Sequence, residues 1–152
     1  MEPRWLTDDE LTAWLRLIAL AELLPSRLDA QLRRDSALTH FEYQVLAMLS
    51  EAPERTLRMS DLAGRVESAL PRLSQVVARL EKRGWVTRTP DPDDGRYTLA
   101  SLSNEGMAKV VETAPGHVAT VRSLVFDPLT KTQLRQLQEG GRRITKAIED
   151  AT

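Results

Sequence analysis

The stretch LRMSDLAGRVESALPRLSQVVARLEKRGWVTRTPDPDDGRYTLASL, residues 57–102, decides how this chain is read. Leu57 and Met59 form a short apolar start that leads into Ser60-Asp61-Leu62-Ala63-Gly64-Arg65-Val66, a short helical segment. A second helical run spans Ser68 to Arg83. Gly84 ends it, and Trp85-Val86-Thr87-Arg88 is extended. The turn Asp91-Pro92-Asp93-Asp94-Gly95-Arg96 reverses the chain, and Tyr97 to Leu102 returns as a second extended segment. Two short helices followed by a β-hairpin can lay one helix in the major groove of DNA with a loop beside it. The expected fold is mainly α with a small β-hairpin wing: a winged helix-turn-helix flanked by N- and C-terminal dimerisation helices.

The second helical run can be resolved by position. Leu73, Val76, Val77 and Leu80 recur at i, i+3, i+4 and i+7, which makes one buried stripe. Pro71, Arg72, Gln75, Arg79 and Lys82 then point away from it. Ser68 is the expected N-cap, accepting a backbone N–H. Pro71 fits the first turn, where its missing N–H costs little, and Gly84 fits the position just past the end. The exposed face carries Arg and Gln, which make bidentate contacts to guanine and adenine edges. An ordinary solvated helix can carry the same residues. The hairpin behind the helix is what favours a nucleic-acid surface.

In that hairpin Asp91-Pro92 and Asp94-Gly95 are turn formers. Val86, Leu99 and Leu102 supply the apolar positions of the extended segments. Arg88 lies at the base and Arg96 at the tip. An arginine at a loop tip can enter the narrow minor groove, where negative potential is enhanced. Asp94 stands two residues before Arg96. Its expected task is to orient Arg96, or Arg79 or Arg88 nearby, by a charge-assisted bond. A solvated surface hairpin with an incidental ion pair is the plainer alternative.

The run Leu62-Ala63 through Leu80-Glu81-Lys82-Arg83-Gly84-Trp85-Val86, then Asp94-Gly95-Arg96, then Leu102-Ser103-Asn104-Glu105-Gly106, resembles the MarR family of bacterial transcriptional regulators. The family pattern has a leucine-alanine start to the first helix of the motif and a "Leu-Glu-x-Arg-Gly-aliphatic-Val" end to the recognition helix. An Asp-x-Arg wing and a "Leu-Thr-x-x-Gly" opening to the next helix complete it. This chain departs from the pattern at Ala69-Leu70-Pro71, where small polar or basic residues are usual. Trp85 stands for a smaller aliphatic residue and Ser103 for threonine. The resemblance implies a homodimeric, sequence-specific double-stranded DNA-binding repressor. It also implies a small aromatic acid or phenolic as candidate effector, held between the dimerisation helices and the DNA-binding lobe. Trp14, His40 and His117 are the candidate ligand-binding residues, although core packing accounts for Trp14 equally well. The DNA-binding set is Ser68, Leu70, Pro71, Arg72, Gln75, Arg79, Arg88, Asp94 and Arg96.

Composition agrees with a globular regulator. The 152 residues suit one domain with a real core. Net charge is −1, so the whole molecule is no basic coat for nucleic acid. The charge is uneven. From Ser68 to Pro90, Arg72, Arg79, Lys82, Arg83 and Arg88 stand against Glu81 alone, five cations to one anion, a local +4. Cysteine is absent, which excludes disulfides and thiol redox sensing. No secretory signal or membrane-length apolar run is evident, so the expected location is cytoplasmic, with no membrane partner.

The remaining sequence is helical. Thr7-x-x-Glu10 is a capping box opening a helix with Leu11, Trp14, Leu15, Ile18, Ala21 and Leu28 on one side. Leu17, Leu20 and Leu24 form a second apolar set, and Pro25 is expected to kink or split the helix. Thr39-x-x-Glu42 opens another helix, with Val45, Leu46 and Leu49, that ends before Pro53. Ser103 caps a helix through Val125 that Pro115-Gly116 should bend, and Asp127-Pro128 breaks the chain. Thr130-x-x-Gln133 caps the last helix, with Leu134, Leu137, Ile144 and Ile148 in one stripe. The division expected is 36–102 for the DNA-binding lobe, with 7–35 and 103–152 as the dimerisation region of a single domain. Terminal helices with more apolar surface than one core can use suggest a dimer. Two-fold symmetry would then place two recognition helices roughly 34–36 Å apart on a pseudopalindrome.

Catalytic and metal signals are weak. His40 and His117 lack the Cys or carboxylate spacing of a metal site, and there is no phosphate-binding glycine loop or nucleophile elbow. No enzyme activity, cofactor or metal is expected. Two other classes stay open at this stage. A helical protein-interaction module built on a winged helix would show no salt-dependent duplex binding. A protein that is primarily a small-molecule sensor would show ligand-induced stabilisation.

Overall fold

The computed structural model describes residues 1–152, which divide into two compact units, Met1–Pro115 and Gly116–Thr152. The chain is mostly helical, with one three-stranded antiparallel sheet. Helix α1 spans Asp8–Ser36 and α2 His40–Glu51. Strand β1 (Thr56–Arg58) leads directly into α3 (Met59–Arg65), and α4 is Leu70–Lys82. Strands β2 (Val86–Pro90) and β3 (Thr98–Leu102) flank the wing loop. They are followed by α5 (Asn104–Val121), a π-helical turn over Arg122–Phe126, and α6 (Lys131–Asp150).

Local chemistry explains most of these boundaries. The capping boxes expected at Thr7, Thr39 and Thr130 all form, each threonine accepting the N–H of the residue three positions on. Helix α4 closes as a Schellman motif: the Gly84 N–H donates to the Glu81 carbonyl at 2.9 Å and the Trp85 N–H to that of Leu80 at 3.1 Å. Gly84 has φ 78°, a conformation in which a side chain would be strained. At the other end of the wing, the Ser103 hydroxyl accepts the Gly106 N–H at 3.0 Å and donates to the Gly84 carbonyl at 2.6 Å. One hydroxyl thus caps α5 and ties it to the end of α4.

Three expectations need correction. Ser68 does not cap α4. The N-cap is Ala69, without a side-chain bond, and the Ser68 hydroxyl turns to the Ala69 carbonyl at 3.1 Å. A cap at Ser68 would have had Pro71 as its third helical residue, and proline has no N–H to give. Pro25 does not split α1, which is continuous on both sides of it; proline removes one backbone bond, and the neighbouring turns keep theirs. The wing is more than a hairpin. Strand β1 pairs with β3, Thr56 facing Ser101 and Arg58 facing Leu99, so β3 is central. Thr56 is too near the Pro53 turn for a three-residue strand to show as an alternating pattern.

The core lies in the first unit. Leu73, Val76, Val77 and Leu80 of α4 are all buried, as their spacing requires. They meet Val45, Leu46 and Leu49 of α2, Leu62 of α3, and Val86, Ala100 and Leu102 of the sheet. Burial of each large aliphatic side chain contributes about 1.5–3 kcal/mol. Four such residues therefore fix the rotation of α4 and with it the direction of its polar face. By contrast, Leu11, Trp14 and Ile18 of α1 are exposed in the single chain, as are Leu137, Ile144 and Ile148 of α6. No helix is long and apolar enough to cross a membrane.

Candidate nucleic-acid interface

Helix α4 presents Pro71, Arg72, Gln75, Arg79 and Lys82 away from its buried stripe, each exposed, and Leu70 is exposed in its first turn. Arg72 lies 4.3 Å over the Phe41 ring, a cation–π contact that holds the guanidinium against α2. Arg79 makes a loose ion pair with Glu42 at 4.0 Å. Ser68 is half-buried in the turn before α4, off this face.

The wing loop runs from Asp91 to Tyr97. The Asp91 N–H donates to the Tyr97 carbonyl at 2.9 Å, and the Tyr97 N–H to the Asp94 carbonyl at 3.0 Å. At the tip, Arg96 and Asp94 pair closely: Nε to Oδ1 at 3.0 Å, and a terminal nitrogen to Oδ2 at 2.6 Å. The Arg96 amide also donates to Asp94 Oδ1. The Arg96 side chain is 84% exposed, so its remaining donors face solvent. Of the partners considered for Asp94, the structure brings only Arg96 to it. Arg79 pairs with Glu42, and Arg88 with Glu81 at 2.7 Å and with Ser74 at 3.0 Å. Arg88 ties β2 to α4.

Arg58 carries no signal in the sequence beyond being a lone cation between Leu57 and Met59. In the fold its Nε donates to Asp91 Oδ2 at 2.8 Å, and its guanidinium lies 4.2 Å over the Tyr97 ring. Arg83 is a second unforeseen contact, donating to the Ala37 carbonyl at 2.9 Å and stacking on Trp85 at 3.9 Å.

The wing carboxyls titrate accordingly. The Asp93 amide, helped by Arg58, holds the Asp91 carboxyl below its ordinary 3.8, and the Arg96 guanidinium does the same for Asp94. A group depressed in the folded state gives stability that is present above its unfolded value and lost as pH falls through its folded value. Thermal melts should therefore lose stability below about pH 4, and Asp91→Asn should lose less between pH 5 and pH 3 than the parent chain does. Identical acid losses in the two would contradict the assignment.

A cleft of about 680 Å³ opens between α1, α2 and α4, lined by Asp29, Arg33, His40, Phe41, Gln44, Arg72, Gln75 and Arg79 among others. The His40 backbone N–H donates to Asp29 Oδ1 at 2.8 Å, joining α2 to α1. Burial pushes the His40 imidazole below its ordinary value, and Asp29 opposes this. Of the three candidate ligand residues, only His40 lines this cleft. Trp14 is exposed on α1, and His117 lies on the part of α5 that belongs to the second unit.

An Arg- and Gln-bearing helix rotated outward by its core, beside a three-stranded wing with an arginine at its tip, defines a winged helix-turn-helix protein. Residues 38–98 match the MarR family model. The chain is 46% identical to Sco3205, a MarR family transcriptional regulator from Streptomyces coelicolor whose crystal structure is in complex with DNA. The match covers 96% of this chain and 91% of that one, with a TM-score of 0.92. It is 35% identical over 100 residues to the HTH-type transcriptional regulator Mb0904 of Mycobacterium bovis, covering 65% of this chain and 69% of that protein. With the HTH-type transcriptional regulator PapX of Escherichia coli it shares 31% identity over 70 residues, which is 43% of that protein's length. The chain belongs to the MarR family of DNA-binding transcriptional regulators.

Proposed function

We propose that this chain is a repressor that binds a pseudopalindromic operator as a homodimer. The observation that carries the reading is the outward face of α4, Arg72, Gln75 and Arg79, set beside Arg96 of the wing. Leu70 and Pro71 take the first turn, where a recognition helix meets base edges, and their apolar surfaces suit a thymine methyl. Arg88 braces this helix from β2 through Glu81 and Ser74, and Ser68 stands in the turn before it. The local +4 supports phosphate attraction despite the overall charge of −1. Gln75→Ala should relax base preference at one position of each half-site by roughly 1–3 kcal/mol. This is measured by competition between duplexes differing at single positions. Unchanged affinity and unchanged preference would place the reading face elsewhere.

Dimerisation is supported by the exposed apolar residues of the terminal helices: Leu11, Trp14 and Ile18 of α1, and Leu137, Ile144 and Ile148 of α6. On this reading residues 36–102 are the DNA-binding lobe, and 7–35 with 103–152 the dimerisation region. Removing the chain from about residue 130 onward should leave an aggregating or unstable protein. A monomeric, DNA-binding fragment lacking both terminal helices would rule the assignment out; sedimentation velocity decides it.

A small aromatic acid is the proposed effector, and the cleft beside His40 is its proposed site. Arg72 stacked on Phe41 offers a charge and a ring face together, which suits a planar anion. Such a ligand would engage Arg72, Gln75 and Arg79, the same side chains that face DNA, so binding to one would oppose binding to the other. Thermal shift with a panel of aromatic acids tests it, and no stabilisation by any of them counts against an effector of this class.

A further inference from the structure

We propose that Arg58 is the positioning residue of the wing: from the end of β1 it sets the direction in which Arg96 is presented to DNA. Arg58 holds both ends of the wing loop with one side chain. Its Nε donates to Asp91 Oδ2 at 2.8 Å, where the loop begins, and its guanidinium plane covers the Tyr97 ring at 4.2 Å, where the loop ends. Tyr97 is the neighbour of Arg96. Asp91 is 7% exposed, and its other oxygen accepts the Asp93 N–H at 2.9 Å, so the carboxylate folds the loop and takes the clamp at once. A buried carboxylate that loses its cation is an uncompensated charge, and the loop must rearrange to hydrate it.

The connection also explains why the third strand matters. A two-stranded hairpin is marginal by itself, and β1 adds only three residues of pairing to β3. Arg58 is the last residue of β1 and the residue before Met59 opens α3. It therefore joins the first helix of the helix-turn-helix to a loop 33 residues further on, and makes wing and helix pair turn together. Arg96 is held by Asp94 within the loop, but that pair fixes the arginine only relative to the loop. Arg58 fixes the loop relative to the body.

The proposal rests on the DNA-binding reading for its consequence, though not for the clamp itself, and two measurements separate them. In the first, full-length Arg58→Gln without DNA is digested briefly with trypsin, and cleavage after Arg96 is followed by mass spectrometry. Cleavage should be several-fold faster than in the parent chain, at a temperature far enough below both melting points that both are fully folded. An unchanged rate overturns the clamp whatever the protein does with DNA. In the second, duplex affinity is compared for the parent, Arg58→Gln, Arg96→Ala and the double variant at one salt concentration. Arg58→Gln should weaken binding three- to tenfold in the parent but less than twofold when Arg96 is already alanine. An equal loss in both backgrounds would mean that Arg58 acts independently of Arg96, and would overturn the positioning role. Should Arg58→Gln fold poorly, Asp91→Asn carries the same cycle, since asparagine keeps the acceptor for Asp93 and loses the ion pair.

Discussion

Arg96→Ala is expected to weaken binding to every duplex tested, specific or not, and to lower the slope of log affinity against log salt by about one unit per subunit. At roughly 0.1 M salt one unit is about tenfold in affinity, so the proposed dimer, with two wings, loses about a hundredfold. The melting temperature should hardly move, because the Arg96 side chain is exposed, with only the Asp94 carboxylate and, at 6.0 Å, the Tyr97 ring beside it. The partner variant separates two explanations. Asp94→Ala removes a negative charge from a DNA-facing loop, and simple electrostatics predicts tighter binding. The structure has Asp94 accepting from Nε and a terminal nitrogen of Arg96, so its loss frees the arginine to rotate. Weaker binding by Asp94→Ala at matched salt is therefore the expected result, by fluorescence anisotropy on a labelled duplex. Tighter binding would leave the wing a plain charged loop.

Gly106→Ala should be strongly destabilising. Gly106 sits in the first turn of α5 against the strand that leaves α4. A Cβ there would overlap the Trp85 carbonyl oxygen and come within 2.6 Å of Leu102 Cδ1. The first is backbone and the second lies in the core, so neither can give way cheaply. Overpacking of this kind costs about 1–3 kcal/mol or more. For a chain of this size each kcal/mol moves the melting temperature by roughly 2–4 °C. A thermal melt within one degree of the parent would show that α5 can shift away from Trp85 freely. The neighbouring Gly84 makes a second, different demand through its φ of 78°, where alanine would be strained in open space.

These positions mark what the sequence made legible. The stripe Leu73, Val76, Val77 and Leu80 set the rotation of α4 without help, because a 3.6-residue period leaves one way to bury four aliphatics. The three Thr-x-x-Glu or Thr-x-x-Gln boxes placed helix starts correctly because both halves of the bond are local. Ser68 fails as a cap because its hydroxyl would need the N–H that Pro71 lacks. Strand β1 was missed because its partner is about 45 residues away, and three residues carry no period. Arg58 escaped for the same reason: nothing near it in sequence announces Asp91 or Tyr97. The Asp94–Arg96 pair was legible because two residues in a turn must meet. The clamp beneath it belongs to tertiary structure alone.

Helix α4 and the wing together form the proposed reader of double-stranded DNA. The most direct measurement is the affinity of the parent chain for duplex DNA flanking its own gene, and for a scrambled duplex of equal length, across a range of salt. The expected result is preference for a segment holding an inverted repeat with half-sites one helical turn apart, and affinity that falls steeply and linearly in log salt for both duplexes. Binding to neither duplex at low salt, or affinity that does not change with salt, would contradict it.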